Sequence, residues 1–168
     1  MRTALTIAGS DSGGGAGIQA DLKTFAAHGL FGTSAITAVT AQNTLGVFAV
    51  HALPPQLVAA QIDAVMSDLP PHAIKIGMLA NAAIAVTVAT RLRAVAVVPV
   101  VLDTVMIAKG GASLLDADAV DTIRRELIPM ATVVTPNVPA ACRRYFGKCC
   151  TGPCPPPSSG AWAMARVM

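Results

Sequence analysis

Residues 8–17 read Ala8-Gly9-Ser10-Asp11-Ser12-Gly13-Gly14-Gly15-Ala16-Gly17 and run straight into Ile18-Gln19-Ala20-Asp21-Leu22-Lys23. Four glycines in the five residues 13–17 let the backbone approach a partner closely, because no Cβ intervenes. A glycine-rich turn between an apolar run and a helical segment commonly offers its amides to an anion or a polar ligand. Two familiar patterns fail letter by letter. Gly9 and Gly14 have the spacing of a phosphate-binding loop, but Gly15-Ala16 follows where Lys-Ser/Thr is required. Gly13 and Gly15 would need a third glycine at Ile18 to make a dinucleotide fingerprint. Further along stand Gln42, Lys75, Asp103 and Asn137. A glycine loop with carboxylates, amides and a lysine, and without a Ser–His pairing signal, suits ligand binding or phosphoryl transfer, not acyl transfer. The side-chain amide of Gln42 sets a donor beside an acceptor, which matches a ring nitrogen next to an exocyclic amine. Asp21 lies near the first turn of its helix, where a carboxylate is favoured electrostatically whether or not it meets a ligand.

The elements that must position these residues alternate. Leu5-Thr6-Ile7-Ala8 leads into the glycine loop, and Ile18, Leu22, Phe25 and Ala26 recur at helical spacing until His28-Gly29. Residues 33–41 are rich in β-branched side chains and predict a strand, with Gln42-Asn43-Thr44 as a polar break before a short strand at 47–51. Pro54-Pro55 starts a helix whose apolar face is Leu57, Val58, Ile62, Val65, Met66 and Leu69. A strand is predicted at 73–78, a helix capped by Asn81, and a buried strand at 97–102 ending on Asp103. A helix capped by Asp116 and a strand at 132–134 running into Thr135-Pro136-Asn137 complete the pattern. Strands alternating with helices predict an α/β fold with a mainly parallel sheet flanked by helices. Ligands in such sheets bind beyond the carboxyl ends of the strands, where Gly9 to Asp11, Gln42, Lys75, Asp103 and Asn137 all fall. A single cleft accounts for their shared position; the alternative is that each merely caps a strand or turn.

Composition narrows the classes. Apolar residues make up 54% of the 168, while charged residues are 12%, against roughly 25% in an ordinary domain. The excess suits buried parallel strands and alanine-rich helices. A net charge of +3 with scattered lysines and arginines gives no nucleic-acid surface. The most apolar region, 82–102, is interrupted by Arg91, Arg93 and Pro99, so no membrane span is expected, and a cytoplasmic protein is the default. His28, His51 and His72 sit at element ends and read as surface residues. Met78 and Met106 follow strand ends, where they could line an apolar ring pocket. The pattern breaks near Cys142: all four cysteines and five of the twelve prolines come after Asn137. Their spacing lacks paired Cys-x-x-Cys units and has no nearby histidine, so free thiols are favoured over zinc. The last two dozen residues read as disordered or loosely attached.

In order along the chain stand Ala4-Leu5-Thr6-Ile7-Ala8-Gly9-Ser10-Asp11, Gly13 to Phe25, Ala41-Gln42-Asn43-Thr44, Lys75-Ile76-Gly77-Met78-Leu79, Leu102-Asp103-Thr104-Val105-Met106 and Thr135-Pro136-Asn137. Together they resemble the hydroxymethylpyrimidine and phosphomethylpyrimidine kinases of thiamine biosynthesis, within the ribokinase-like superfamily. The resemblance implies ATP- and Mg2+-dependent phosphorylation of 4-amino-5-hydroxymethyl-2-methylpyrimidine and then of its monophosphate. It further implies that Gln42 recognises the aminopyrimidine and that Gly9, Asp21, Met78 and Val105 surround it. Asn137 matches the asparagine of an Asn-x-x-Glu motif near the magnesium and phosphate, and Asp103 faces the same cleft. Ala140 stands where that motif has glutamate.

The resemblance covers residues 1–141, read as the N-terminal part of a ribokinase-like kinase domain that is incomplete on its C-terminal side. Residues 142–168 are read as an aberrant tail, consistent with out-of-frame translation. The family's later anion-hole loop, with its catalytic group, and most of its ATP surface have no match here, so no catalytic residue is assigned, the metal ligands are unknown, and little turnover is expected. A pyrimidine-binding remnant and a pyridoxal-type kinase are the alternatives; Ala41-Gln42-Asn43-Thr44 fits the pyrimidine branch better. Homodimers are expected from related kinases.

Overall fold

The computed structural model describes residues 1–95, 98–104, 117–136 and 165–166. Strand β1 (Thr3–Asp11) is followed by helix α1 (Gly17–Ala27), β2 (Phe31–Gln42), β3 (Val47–Ala52), α2 (Pro55–Asp68), β4 (Ala73–Ile76) and α3 (Ala82–Arg93). Strand β5 (Val100–Leu102), helix α4 (Ala117–Thr122), β6 (Val133–Val134) and β7 (Ala165–Arg166) follow. They form one sheet in the order β3-β2-β1-β4-β5-β6-β7. The β1–β2, β1–β4, β4–β5 and β5–β6 pairs are parallel, while β3 and β7 pair antiparallel at the two edges. This is the mainly parallel α/β sheet expected.

Parity along the strands decides what each face meets, because successive side chains point to opposite sides. Leu5, Ile7, Ile74 and Ile76 are buried in one cluster with Val58 and Ile62 of α2 and with Ile84, Val88 and Leu92 of α3. Thr6, between Leu5 and Ile7, instead bonds Asp21 of α1. Helix α1 therefore covers the face opposite to α2 and α3. The register puts Thr6 beside Lys75, and Lys75 beside Val101. Asp103 has the parity of Val101, so Thr6, Lys75 and Asp103 look toward the α1 side.

Several element ends follow from local chemistry. Asn81 caps α3 by accepting the Ile84 N–H at 2.9 Å. Pro55 opens α2, where its missing N–H costs nothing, and Gly29, at φ 69°, turns the chain after α1. Only part of the expected α2 face is inside, since Leu57 and Leu69 are exposed and Ala59 replaces them in the core. Strand β5 is shorter than predicted; Pro99, which has no N–H, precedes it and only its carbonyl is used, by Ile74 N at 2.9 Å. Helix α4 continues as a π-helical turn at Ile123–Leu127 and a 3-10 turn at Ile128–Met130 that contains Pro129. The predicted cap Asp116 lies outside the described residues, as do all four cysteines. So does most of the expected disordered tail, but Ala165 and Arg166 within it pair with β6.

Candidate functional site

Gly9, Ser10 and Asp11 belong to β1 itself. Ala8 is opposite Ile36 but Ser10 is opposite Val39, so Gly9 lies where β2 carries one residue more than β1. A bulge of this kind re-aims the chain at the end of a strand. A Cβ placed on Gly9 would stand 2.5 Å from Met78 Cε, so the two predicted pocket residues are in direct contact. Thr37 fixes the loop that carries Met78, donating to the Met78 carbonyl at 2.6 Å. In that loop Ala80 has φ 65°, a conformation that disfavours side chains.

The glycine loop is occupied by its own chain. The Asp11 carboxylate accepts the N–H of Gly13 at 2.7 Å, of Gly15 at 3.0 Å and of Ala16 at 2.8 Å. The Gly14 N–H donates to the Asp11 carbonyl at 3.0 Å. Amides 13–16, the natural cradle for an external phosphate, are thus bonded internally, and the loop is preformed as a wall. Gln19 braces it, accepting Asp11 N–H at 2.8 Å and donating to Ser10 Oγ at 2.7 Å. Gly17 is required by its φ of 57° and because a Cβ there would lie 2.3 Å from the Gly9 carbonyl oxygen.

Ser12 ties this wall to Gln42. Its hydroxyl oxygen is 2.7 Å from both the N–H and the carbonyl oxygen of Gln42, accepting from one and donating to the other. Gln42 is not in a polar break after β2, as expected, but is its last residue, paired with Val47 of β3. Its side-chain oxygen lies 3.2 Å from Thr40 Oγ1, and Thr40 Oγ1 is 3.0 Å from the Ser10 carbonyl oxygen.

Asp21 and Asp103 form a second group. Asp21 Oδ2 accepts from Thr6 Oγ1 at 2.6 Å and from Lys75 Nζ at 2.9 Å, and Lys75 Nζ lies 3.7 Å from Asp103 Oδ2. Asp21 is not in the first turn of α1, which holds no acidic residue. Lys75 and Thr6, rather than the helix terminus, account for its charge. Burial holds the Asp103 carboxyl above the usual range; the Lys75 ammonium opposes this and the Asp21 carboxylate adds to it.

The predicted residues thus gather in two groups beside the end of β1. Gly9 and Met78 are in contact in one group, and Ser12 joins Gln42 to the glycine loop beside it. Asp21, Lys75 and Asp103 lie toward the side of Thr6. Val105 and Asn137 fall outside the described residues. Sequence reading placed Lys75 in the cleft without a partner and assigned no role to Ser12, Gln19 or Thr40, because each acts between elements that spacing alone does not bring together. Only the Asp-Ser-Gly-Gly order hinted at a self-bonded turn, since aspartate commonly accepts from N–H groups just after it.

The donor set leaves little for a metal–nucleotide group. Both carboxylates of the second group converge on an ammonium, amides 13–16 are taken, and no cluster of three His, Cys, Asp or Glu able to hold a metal exists among the described residues. Among the described residues, therefore, no magnesium–nucleotide site is formed. The family model described as phosphomethylpyrimidine kinase matches residues 11–144. The chain belongs to the phosphomethylpyrimidine kinase family.

It is 58% identical over 141 residues to the hydroxymethylpyrimidine/phosphomethylpyrimidine kinase of Haemophilus influenzae, covering 84% of this chain and 52% of that one. Among solved structures it is similar to the phosphomethylpyrimidine kinase of Clostridium difficile, with a TM-score of 0.79 and 50% identity over 84% of this chain and 61% of that one. It is also similar to the pyridoxal kinase of Staphylococcus aureus in complex with AMP-PCP and pyridoxal (TM-score 0.70, 36% identity, 82% of this chain and 49% of that one). The chain spans about half the length of the curated relatives it matches. The ribokinase-like fold expected from the sequence is the fold of these kinases. No described helix is long and apolar enough to cross a membrane.

Proposed function

We propose that this chain carries the pyrimidine-binding part of a hydroxymethylpyrimidine/phosphomethylpyrimidine kinase. In that reading the cleft takes 4-amino-5-hydroxymethyl-2-methylpyrimidine and its monophosphate for ATP- and Mg2+-dependent phosphorylation in thiamine biosynthesis. The observation that carries it is Gln42, whose backbone is clipped by Ser12 to a preformed glycine wall that continues through Gly9 to Met78. An amide held there can pair with the ring nitrogen and amine of an aminopyrimidine while Met78 packs against the ring. Asp21 and Val105 complete the substrate set, and Asp103 and Asn137 belong to the nucleotide side, as the family resemblance implies. The higher identity to phosphomethylpyrimidine kinases than to pyridoxal kinase supports the pyrimidine over pyridoxal.

The chain is expected to bind the pyrimidine and, with amides 13–16 of the glycine loop already bonded internally, to turn it over little. Isothermal titration with the pyrimidine, beside a phosphorylation assay with Mg-ATP, tests both halves. Gln42→Leu should weaken binding roughly ten- to hundredfold, the loss of two hydrogen bonds of about 1 kcal/mol each. Unchanged affinity in that variant would sink the assignment, and turnover near that of a longer relative would sink the expectation of low activity. Pairing of two copies belongs to the same reading and is read directly by sedimentation.

A further inference from the structure

We infer that Thr40 is a specificity-determining residue that sets the order of donor and acceptor which Gln42 shows to its ligand. The inference rests on the pyrimidine reading above and deepens it. Thr40 is 5% exposed, so its hydroxyl is cut off from bulk water. Two groups lie within reach of that hydroxyl, the Ser10 carbonyl oxygen at 3.0 Å and the Gln42 side-chain oxygen at 3.2 Å. A hydroxyl has one proton, so it cannot donate to oxygen on both sides.

The two neighbours are not equivalent. A carbonyl can only accept, whereas a half-turn of the Gln42 amide exchanges its oxygen and nitrogen with little change of shape. With Gln42 Oε1 turned toward Thr40 the two oxygens compete for that one proton, and the half-turned amide is the arrangement that satisfies every group. Thr40 donates to Ser10, and Gln42 Nε2 donates one of its protons to a lone pair of Thr40 Oγ1. The other Nε2 proton and Oε1 then remain side by side for a ligand, in a fixed left-to-right order. The opposite half-turn gives Thr40 an oxygen to donate to and takes its proton away from Ser10, leaving that carbonyl one bond short.

A 4-aminopyrimidine offers an acceptor ring nitrogen beside a donor amine. Its 4-oxo counterpart offers a donor ring N–H beside an acceptor oxygen, the reverse order, and it needs the opposite half-turn of Gln42. Thr40 therefore disfavours the 4-oxo ring by the worth of about one hydrogen bond, roughly five- to tenfold in affinity. Gln42 alone, free to turn, would accept either ring. On this argument Thr40 supplies selectivity without touching the ligand.

The test is a calorimetric titration of wild type, Thr40→Val and Thr40→Ser with 4-amino-5-hydroxymethyl-2-methylpyrimidine and with its 4-oxo counterpart. Wild type and Thr40→Ser should prefer the amino ring to a similar degree. Thr40→Val, which keeps the shape and removes the hydroxyl, should narrow that preference roughly five- to tenfold, mainly by improved binding of the 4-oxo ring. An unchanged ratio in Thr40→Val, or a ratio narrowed equally in Thr40→Ser, overturns the role of Thr40 while leaving the pyrimidine reading intact. A wild-type chain that binds neither ring overturns the pyrimidine reading, and this inference with it. Should Thr40→Val fail to fold, nuclear Overhauser contacts in the wild type decide the matter. One Gln42 Nε2 proton close to the Thr40 side chain supports the inference, and both protons remote from it refute it.

Discussion

Among the described residues, Asp103 carries a carboxylate whose charge burial disfavours. Its carboxyl is raised above the usual range, first by burial and then by the Asp21 carboxylate, with Lys75 opposing. A group whose folded pKa is raised favours the folded state when protonated. Its contribution is complete below the ordinary carboxylate range and is lost as pH climbs through the raised folded value. Asp103→Asn, a neutral copy of the protonated form, should therefore raise the melting temperature at neutral pH. The gain should fade in acid, where wild-type Asp103 is protonated as well. Thermal melting of both proteins from acid to neutral pH measures this, and a gain that grows toward acid would show the sign to be wrong. Asp11 illustrates the opposite economy at the same scale. Its charge is met by three N–H groups of the loop beside it, so a buried carboxylate becomes part of the architecture instead of a load on it.

The glycine turn and helix α1 stand or fall together, because Gly17 both starts the helix and passes under Gly9. Gly17→Ala adds a Cβ 2.3 Å from the Gly9 carbonyl oxygen, at a residue with φ 57°. The conformational term alone is about 1–2 kcal/mol, and the backbone contact adds to it. A fall in stability of at least about 2 kcal/mol by urea unfolding is expected, with the pyrimidine wall displaced as well. Ala80→Gly, the converse change at φ 65°, should be neutral or slightly stabilising. A Gly17→Ala protein as stable as wild type would mean that the turn is not held as described. The order of these elements could be read before folding, because each depends on local signals: Gly29 after α1, Asn81 before α3, Pro55 at the start of α2. The Asp21–Lys75–Asp103 group could be read only as a helix carboxylate and two polar residues at strand ends, since their meeting depends on the parallel register that sets Thr6 beside Lys75. The bulge at Gly9 left no mark in the sequence beyond the glycine itself. The clip from Ser12 to Gln42 was hidden for the same reason, as it joins residues thirty positions apart.

Across the whole molecule, protection should follow position in the sheet. Strand β1 is hydrogen-bonded on both sides, by β2 and β4, and Leu5 and Ile7 are fully buried. Strand β4 has the same situation between β1 and β5. Strand β3 pairs on one side, with β2, and Phe48 (69% exposed) and Val50 (47%) stand out from it. Amides opened only by global unfolding exchange slowest, while a one-sided, exposed strand can open by itself at much lower cost. Hydrogen exchange is therefore expected to be slowest at residues 4–8 and 74–76 and markedly faster at 47–52. Adding the pyrimidine should slow exchange at 9–17 and at Gln42 without changing the order of the strands, because those residues form the wall that the ligand would rigidify. Equal protection of β1 and β3 would contradict this ordering. Such a result would require another surface over Phe48 and Val50, and a second copy of the chain would then reveal itself by protection of 47–52 that rises with protein concentration while that of 4–8 stays constant.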